Sequence, residues 1–192
     1  QPGRVAPRIR ALLDQHGFSH IGFALEWVSV YTFQCRRMQS FRHGRLLFAG
    51  DCAHQVSPFG ARGANSGVQD TDNLVWKLQL VIDGRAPEAL LDSYAYERET
   101  AADENLMNST RATDFMTPKS RATRNLRDAV LALAADVPGV RALVNSGRLS
   151  VPSTHADSPL NTPDAEAFDG WMVPGAPMDD APVKGPRGDW LL

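Results

Sequence analysis

The sequence predicts an α/β fold that becomes mostly helical after residue 64. Three observations carry that prediction. β-Branched and aromatic residues cluster before residue 50, apolar spacing turns helical after Gly67, and prolines punctuate the chain after Ser150. At about 150 residues per domain, a chain of 192 residues is one domain, or one with part of a second.

Taken in order, Val5, Ile9, Leu12 and Leu13 fall on one face of a short helix. Trp27, Val28, Val30, Tyr31 and Phe33 favour a strand over 25–35. Leu46 to Ala49, between Gly44 and Gly50, is too short for a helix and reads as a buried strand. Beyond Gly67, the residues Leu74, Val75, Leu78, Val81 and Ile82 form one stripe of an amphipathic helix that Gly84 stops. Pro87 opens a second helix with Leu91, Tyr94, Ala95, Ala102 and Leu106 on one side, running to Met107 or beyond. A third helix carries Leu126, Val130 and Leu133 and ends before Pro138, with a shorter turn at Val140–Val144. The proline-rich stretch that follows is a linker or a tail that wraps a surface.

Composition narrows the function. A net charge of −2 excludes a strongly basic nucleic-acid binder. No apolar run reaches the roughly 18 residues that span a bilayer. Two cysteines, Cys35 and Cys52, make no disulfide framework and point to a reducing, cytoplasmic setting. Seven arginines before residue 46 and seven carboxylates after residue 150 leave the two ends oppositely charged, as solvated faces or as contacts to partners. The chain opens Gln1-Pro2-Gly3, has its first methionine at Met38 and lacks a signal-peptide core, so it is expected to be a piece of something longer.

The segment from Gly50 to Gly67 carries the chemistry. Asp51 directly follows a predicted strand, which would put its carboxylate at a sheet's ligand-binding edge and within reach of two hydroxyls of a polyol or ribose. Gly60, Gly63 and Gly67 allow close backbone approach to a flat or phosphorylated ligand, or serve only as a tight turn. Asn65 and Ser66 are suitable caps for the following helix, whose free N–H groups would face negative charge. The GxGxxG dinucleotide fingerprint is absent from the chain.

Gly50-Asp51-Cys52-Ala53-His54, Pro58-Phe59-Gly60, Gly63-Ala64-Asn65-Ser66-Gly67, Asp70, Asn73-Leu74 and Trp76-Lys77-Leu78 together resemble the second flavin-binding motif of the class A FAD-dependent aromatic hydroxylases. That family is typified by para-hydroxybenzoate hydroxylase, and the phenol and 3-(3-hydroxyphenyl)propionate hydroxylase branch is the nearer likeness. The resemblance is dense from Gly44 to Ala102 and looser over Trp27–Arg42 and Asn108–Ser120. It implies a partial FAD/NAD(P)-binding fold in which Asp51 holds the ribityl hydroxyls of FAD and Gly50 beside it is also cofactor-binding. Pro58 would lie beside the flavin's reactive C4a edge, with its carbonyl facing substrate, and Gly60 would also be cofactor-binding. Gly63, Ala64 and Asn65 would meet the N1–C2=O2 edge through backbone N–H groups, which would favour the negative charge of the reduced ring.

Three positions depart from the family pattern. Ser57 stands where many members have a second proline, which is expected to loosen the loop, and Cys52 replaces a common alanine. Arg62 reads as a solvated charge, or as a contact to an anionic group. His54 is either a general base or a structural hydrogen-bonding residue, and the resemblance gives it no established catalytic role. Tyr31 and Phe33 would line an aromatic pocket or pack in the core. The other histidines share no spacing with cysteines or carboxylates, so no metal site is expected.

Trp171 to Asp180 resembles the entry to the thioredoxin-like C-terminal domain of the phenol-hydroxylase branch. The expected organisation is therefore 1–118 as the C-terminal portion of the FAD and substrate domain, 119–165 as helical segment and linker, and 166–192 as the start of that truncated domain. The implied activity is hydroxylation of a phenolic substrate with NAD(P)H and O2 through a C4a-hydroperoxyflavin. The implied partners are the N-terminal part of the same polypeptide and a second copy in a homodimer, and the isolated chain is expected to be inactive. Two other readings stay open: a non-hydroxylating flavoprotein of the same fold, and a non-catalytic packing or dimerisation fragment.

Overall fold

The computed structural model describes residues 2–144, 151–165, 170, 172–178, 183–184 and 190–191. Two units are distinguished, residues 1–32 and 33–192. The first holds helix α1, Pro2–Gln15, on the expected apolar spacing. Arg10 ties the following loop to it, donating to the Ser19 and Ile21 carbonyls and lying 5.0 Å from the Phe23 ring centre.

The second unit opens on very short strands: β1 Arg36–Arg37, β2 Arg42–His43, β3 Leu46–Leu47 and β4 His54–Gln55, with a 3-10 turn at Gly50–Cys52. Both pairings here are antiparallel, β1 with β4 and β2 with β3. The strand expected over 25–35 is not present. Strand propensity is realised only where a neighbouring ladder exists, and β4 offers one only to Arg36 and Arg37. Trp27, Val30 and Tyr31 stay exposed at 82%, 69% and 76%. The expected buried strand at 46–49 is also corrected: β3 is one arm of a hairpin turning at Gly44 (φ +61), and Leu46 is exposed. Asp51 therefore follows a small hairpin rather than a strand of an open parallel sheet.

Helices dominate the remainder: α2 Arg62–Ile82, α3 Leu90–Met116, α4 Arg121–Asp136 and α5 Pro138–Val144. Gly84, at φ +65, turns the chain between α2 and α3. The second helix starts at Leu90 rather than Pro87, whose carbonyl accepts the Leu90 N–H. Leu91, Tyr94, Ala95 and Ala102 of α3 are buried as the periodicity requires. Tyr94, Ala95 and Ala102 meet Phe41 and Ala53 in the core, with Met38, Leu47, Phe48 and Leu74 packed against it. A reciprocal Ser120–Thr123 capping box starts α4.

The face of α2 that is fully buried is not its apolar stripe. Arg62, Ser66, Asp70 and Lys77 are buried, while Val75 and Ile82 are exposed. Ser66, Asp70 and Lys77 are tolerable inside because α3 supplies their partners, including Asn105 Nδ2 donating to Ser66 Oγ at 2.9 Å.

Helix α2 also begins earlier than the change of period suggests. Its N-cap is Ala61, in the left-handed region at φ 52 and ψ 36, and neither Asn65 nor Ser66 caps it. Asn65 lies one turn inside, its side chain donating to the Ala61 carbonyl at 2.8 Å. Left-handed backbone costs a residue with a Cβ about 1–2 kcal/mol, part of which glycine loses again through unfolded-state entropy. Ala61→Gly should therefore stabilise the protein by about 0.5–1 kcal/mol, read as a rise in the urea midpoint.

At the C-terminal end, β5 Val183–Lys184 pairs antiparallel with β6 Trp190–Leu191. Most of the segment expected to open a thioredoxin-like domain, Trp171 included, lies outside the described residues.

Candidate functional site

The segment joining β3 to α2 is built around one carboxylate, that of Asp70, which is fully buried. Its Oδ2 accepts the Gly50 N–H at 2.8 Å and faces His54 Nε2 at 2.6 Å. Its Oδ1 accepts Arg98 Nε at 2.7 Å. Burial alone would push the Asp70 carboxyl up, but the bonds from His54, Gly50 and Arg98 outweigh it and hold the group below the usual aspartate range. His54 is itself buried and stacked on Phe41, with ring centres 5.7 Å apart. It makes a structural hydrogen bond and does not face solvent as a general base would need to.

Gly50 has φ +63, and its Cα lies 3.5 Å from where a Cβ on Gly67 would stand. The close approach foreseen for the glycines is thus, at Gly67, one of helix α2 to the turn. It brings that turn against the first turns of α2. Asp51, in the middle of the turn, is exposed, and no described residue pairs with its carboxylate. It borders a hollow of about 280 Å³ with Arg36, Met38, Cys52 and Gln55.

Starting α2 at Arg62 leaves the N–H groups of Arg62, Gly63 and Ala64 without intrahelical acceptors, whereas that of Asn65 falls to the Ala61 carbonyl. The donors without intrahelical acceptors therefore sit one residue earlier than the resemblance alone suggests. A Cβ on Gly63 would meet the Val56 side chain at 3.9 Å, an ordinary van der Waals contact. Pro58 is exposed, and its carbonyl accepts the Ala61 N–H at 3.1 Å. Gly60, at φ +101, lets the chain turn from Pro58 into the helix.

Two departures from the family pattern are corrected here. Ser57 does not loosen the loop. It is buried, with its hydroxyl 2.7 Å from Ser109 Oγ and accepting Thr113 Oγ1 at 2.7 Å, so the loop is pinned to α3. Arg62 is not a solvated charge: it is 7% exposed and donates to the Val151 carbonyl at 3.1 Å. Among the described residues, no group of three or more metal-ligating side chains converges. Phe33 packs edge-on against Phe59, 6.0 Å between ring centres, whereas Tyr31 is exposed.

A second buried ion pair lies further along the same helices. Lys77 Nζ donates to Glu97 Oε2 at 2.6 Å and to Asn73 Oδ1 at 2.9 Å. Burial would raise the Glu97 carboxyl, but Lys77, Ser158 and Asn73 hold it below the usual range. Burial pulls the Lys77 ammonium down more than Glu97 restores it. For Asp70 and Glu97 the folded pKa lies below the ordinary values of 3.8 and 4.5. Their contribution to stability is therefore full above those values and is lost as pH falls through the folded ones. From these two carboxylates the urea midpoint should drop below about pH 4. A midpoint unchanged at low pH would show that neither carboxylate favours the fold.

The donor and acceptor chemistry fits the ribityl and ring portions of FAD. Asp51, whose carboxylate pairs with no described residue, could accept from hydroxyls, and the first turn of α2 could present N–H donors to an electron-rich ring edge.

Comparison with known proteins agrees. The profile described as "FAD binding domain" matches residues 3–109. The chain is 43% identical over 115 residues to the 3-(3-hydroxy-phenyl)propionate/3-hydroxycinnamic acid hydroxylase of Mycolicibacterium gilvum, covering 60% of this chain and 20% of that protein. It thus spans about a fifth of the length of that relative. Among solved structures, it resembles CabE, an aromatic hydroxylase from angucycline biosynthesis, at 34% identity and TM-score 0.58 over 80% of this chain and 29% of that one. It also resembles PyrE3, a Diels-Alderase of the pyrroindomycin pathway, at 28% identity and TM-score 0.62 over 96% of this chain and 35% of that one. By the extent of that match, residues 3–109 of 192, the chain belongs to the FAD-binding-domain family.

Proposed function

We propose that this chain forms the C-terminal part of an FAD-dependent monooxygenase that hydroxylates a phenolic or other aromatic substrate with NAD(P)H and O2. The observation that carries this reading is an exposed Asp51 carboxylate that pairs with no described residue, set beside the first turn of α2, on a chain 43% identical over 115 residues to a named hydroxylase. When bound, FAD supplies the redox chemistry. The chain's own residues bind and orient it. Asp51 accepts hydrogen bonds from ribityl hydroxyls, with Gly50 setting the turn. Gly63 and Ala64 aim N–H dipoles at the N1–C2=O2 edge without reorganising. Asn65 closes the first turn of the helix behind them, and Pro58 with Gly60 borders the ring's reactive edge.

The proposed organisation keeps 1–118 with the FAD and substrate domain, 119–165 as helical segment and linker, and 166–192 as the start of a further domain. Its first partner is the remainder of the polypeptide, and its second is another copy. Two exposed free thiols, Cys35 and Cys52, support a reducing, cytoplasmic setting.

A second reading has its own support: the likeness to PyrE3 covers 96% of the chain, which favours a flavoprotein of this fold with non-hydroxylating chemistry. Incubating the whole flavin-loaded polypeptide with a panel of phenols, NAD(P)H and labelled O2 separates the two. Hydroxylation predicts substrate-stimulated NAD(P)H oxidation with one labelled oxygen atom in the product. Turnover without label incorporation would replace it by the second reading. Purified polypeptide that neither contains nor takes up flavin would refute both.

A further inference from the structure

Asp51 is only as well placed as the turn that carries it, and both ends of that turn are tied to the same buried carboxylate. Gly50, one residue before Asp51, donates its N–H to Asp70 Oδ2 at 2.8 Å, and His54, three residues after, meets the same oxygen at 2.6 Å. Arg98 holds the other oxygen at 2.7 Å, fixing the rotation of the carboxylate about its own axis. All three side chains are nearly inaccessible, at 0% for Asp70, 2% for His54 and 4% for Arg98. The turn cannot hinge at one end while Asp70 holds the other. The Phe41 ring against His54, and the approach of Gly50 to Gly67, close the two remaining sides.

We propose that Asp70, His54 and Arg98 are positioning residues for the cofactor: a buried carboxylate, itself out of reach of any ligand, brackets the turn at Gly50 and His54 and thereby sets the direction of the Asp51 carboxylate. This rests on the proposed role of Asp51 toward the ribityl hydroxyls. It adds that flavin affinity is governed from α2 and α3 by residues that do not touch the flavin. A carboxylate suits the task better than an amide, because its oxygens only accept and all three groups around Asp70 donate. An asparagine there would turn an N–H against one of those donors. Burial makes the arrangement specific, since water cannot replace a lost bond.

A role confined to holding the fold together would weaken every ligand alike, whereas a role through Asp51 touches only ligands with a ribityl chain. The test therefore compares FAD with lumiflavin, which has the ring system and no ribityl hydroxyls, by flavin-fluorescence titration of the whole polypeptide. Asp70→Asn and His54→Ala are each expected to lower FAD affinity about tenfold and to leave lumiflavin affinity within about twofold. His54→Ala keeps the Asp70–Arg98 ion pair and is the variant to rely on where Asp70→Asn does not fold. In the cycle with Asp51→Ala, the double variant His54→Ala/Asp51→Ala should bind FAD no more than about twofold worse than Asp51→Ala alone. Equal losses for FAD and lumiflavin, or losses that multiply in the double variant, would overturn the positioning role and leave that of Asp51 intact. An Asp51→Ala variant with undiminished FAD affinity would overturn both.

Discussion

Asp51→Ala should lower the affinity of the whole polypeptide for FAD by at least about tenfold while leaving its unfolding midpoint unchanged. The two halves of that expectation come from the same observation. The carboxylate is exposed and pairs with no described residue, so its removal leaves no buried donor orphaned and no core gap. Toward a ligand the reverse holds. Hydrogen bonds from hydroxyls to a charged acceptor are worth roughly 1.5–3 kcal/mol each, and losing even one spans a factor of ten. Asp51→Asn keeps the shape and one acceptor oxygen, so it should fall between wild type and alanine. Titration of apoprotein with FAD, beside urea denaturation of the same variants, reads both quantities. Full flavin retention through gel filtration by Asp51→Ala would remove Asp51 from the site. A loss of stability matching the loss of affinity would make it a structural residue instead.

What the sequence disclosed about this region, and what it withheld, follows from which forces leave a mark on residue order. The helices α3 and α4 are readable because their apolar residues repeat at helical spacing, and the bend at Gly84 because glycine is the residue that enters left-handed backbone freely. The start of α2 was hidden for the converse reason: its left-handed cap is an alanine, Ala61, so the signal fell on Asn65 and Ser66 instead. The strand expected over 25–35 does not form, because aromatic and β-branched residues report a preference that only a neighbouring strand can satisfy. The hub at Asp70 leaves the faintest mark on residue order. Hydrophobic periodicity cannot show a buried face made of Arg62, Ser66, Asp70 and Lys77. A trace was available nonetheless: the first three recur every four residues, and Glu97-Arg98 on the next helix supplies the opposite charges for Asp70 and Lys77. The motif marked Asp70 as part of the pattern without indicating what it holds.

The largest effect on stability is expected from Lys77→Met. Lys77 is fully buried and Glu97 nearly so, and the 2.6 Å contact between them is backed by Asn73 and Ser158. Methionine fills the space of the lysine stem and abolishes the charge, leaving Glu97 ionised in a site that water does not reach. Removing one partner of such a pair costs about 3–5 kcal/mol, far more than the pair contributes relative to two apolar residues. The pH dependence gives a second, sharper signature. With Lys77 present, the bonds to Glu97 overcome burial and keep its carboxyl low. Without the ammonium, burial gains weight and pushes the carboxyl above its unfolded value, so the folded state of the variant takes up a proton that the unfolded state does not. Its deficit against wild type should therefore shrink as pH falls from about 7 to about 5, the opposite of the ordinary acid response. Lys77→Met/Glu97→Met, which removes both charges, should recover much of the loss at neutral pH and show no such pH dependence. Urea denaturation of the three proteins at the two pH values decides the matter. A deficit below about 1 kcal/mol for Lys77→Met, which is the size expected of an exposed pair, or one that does not change with pH, would mean that water reaches Glu97 and that the pair does not act as a buried one.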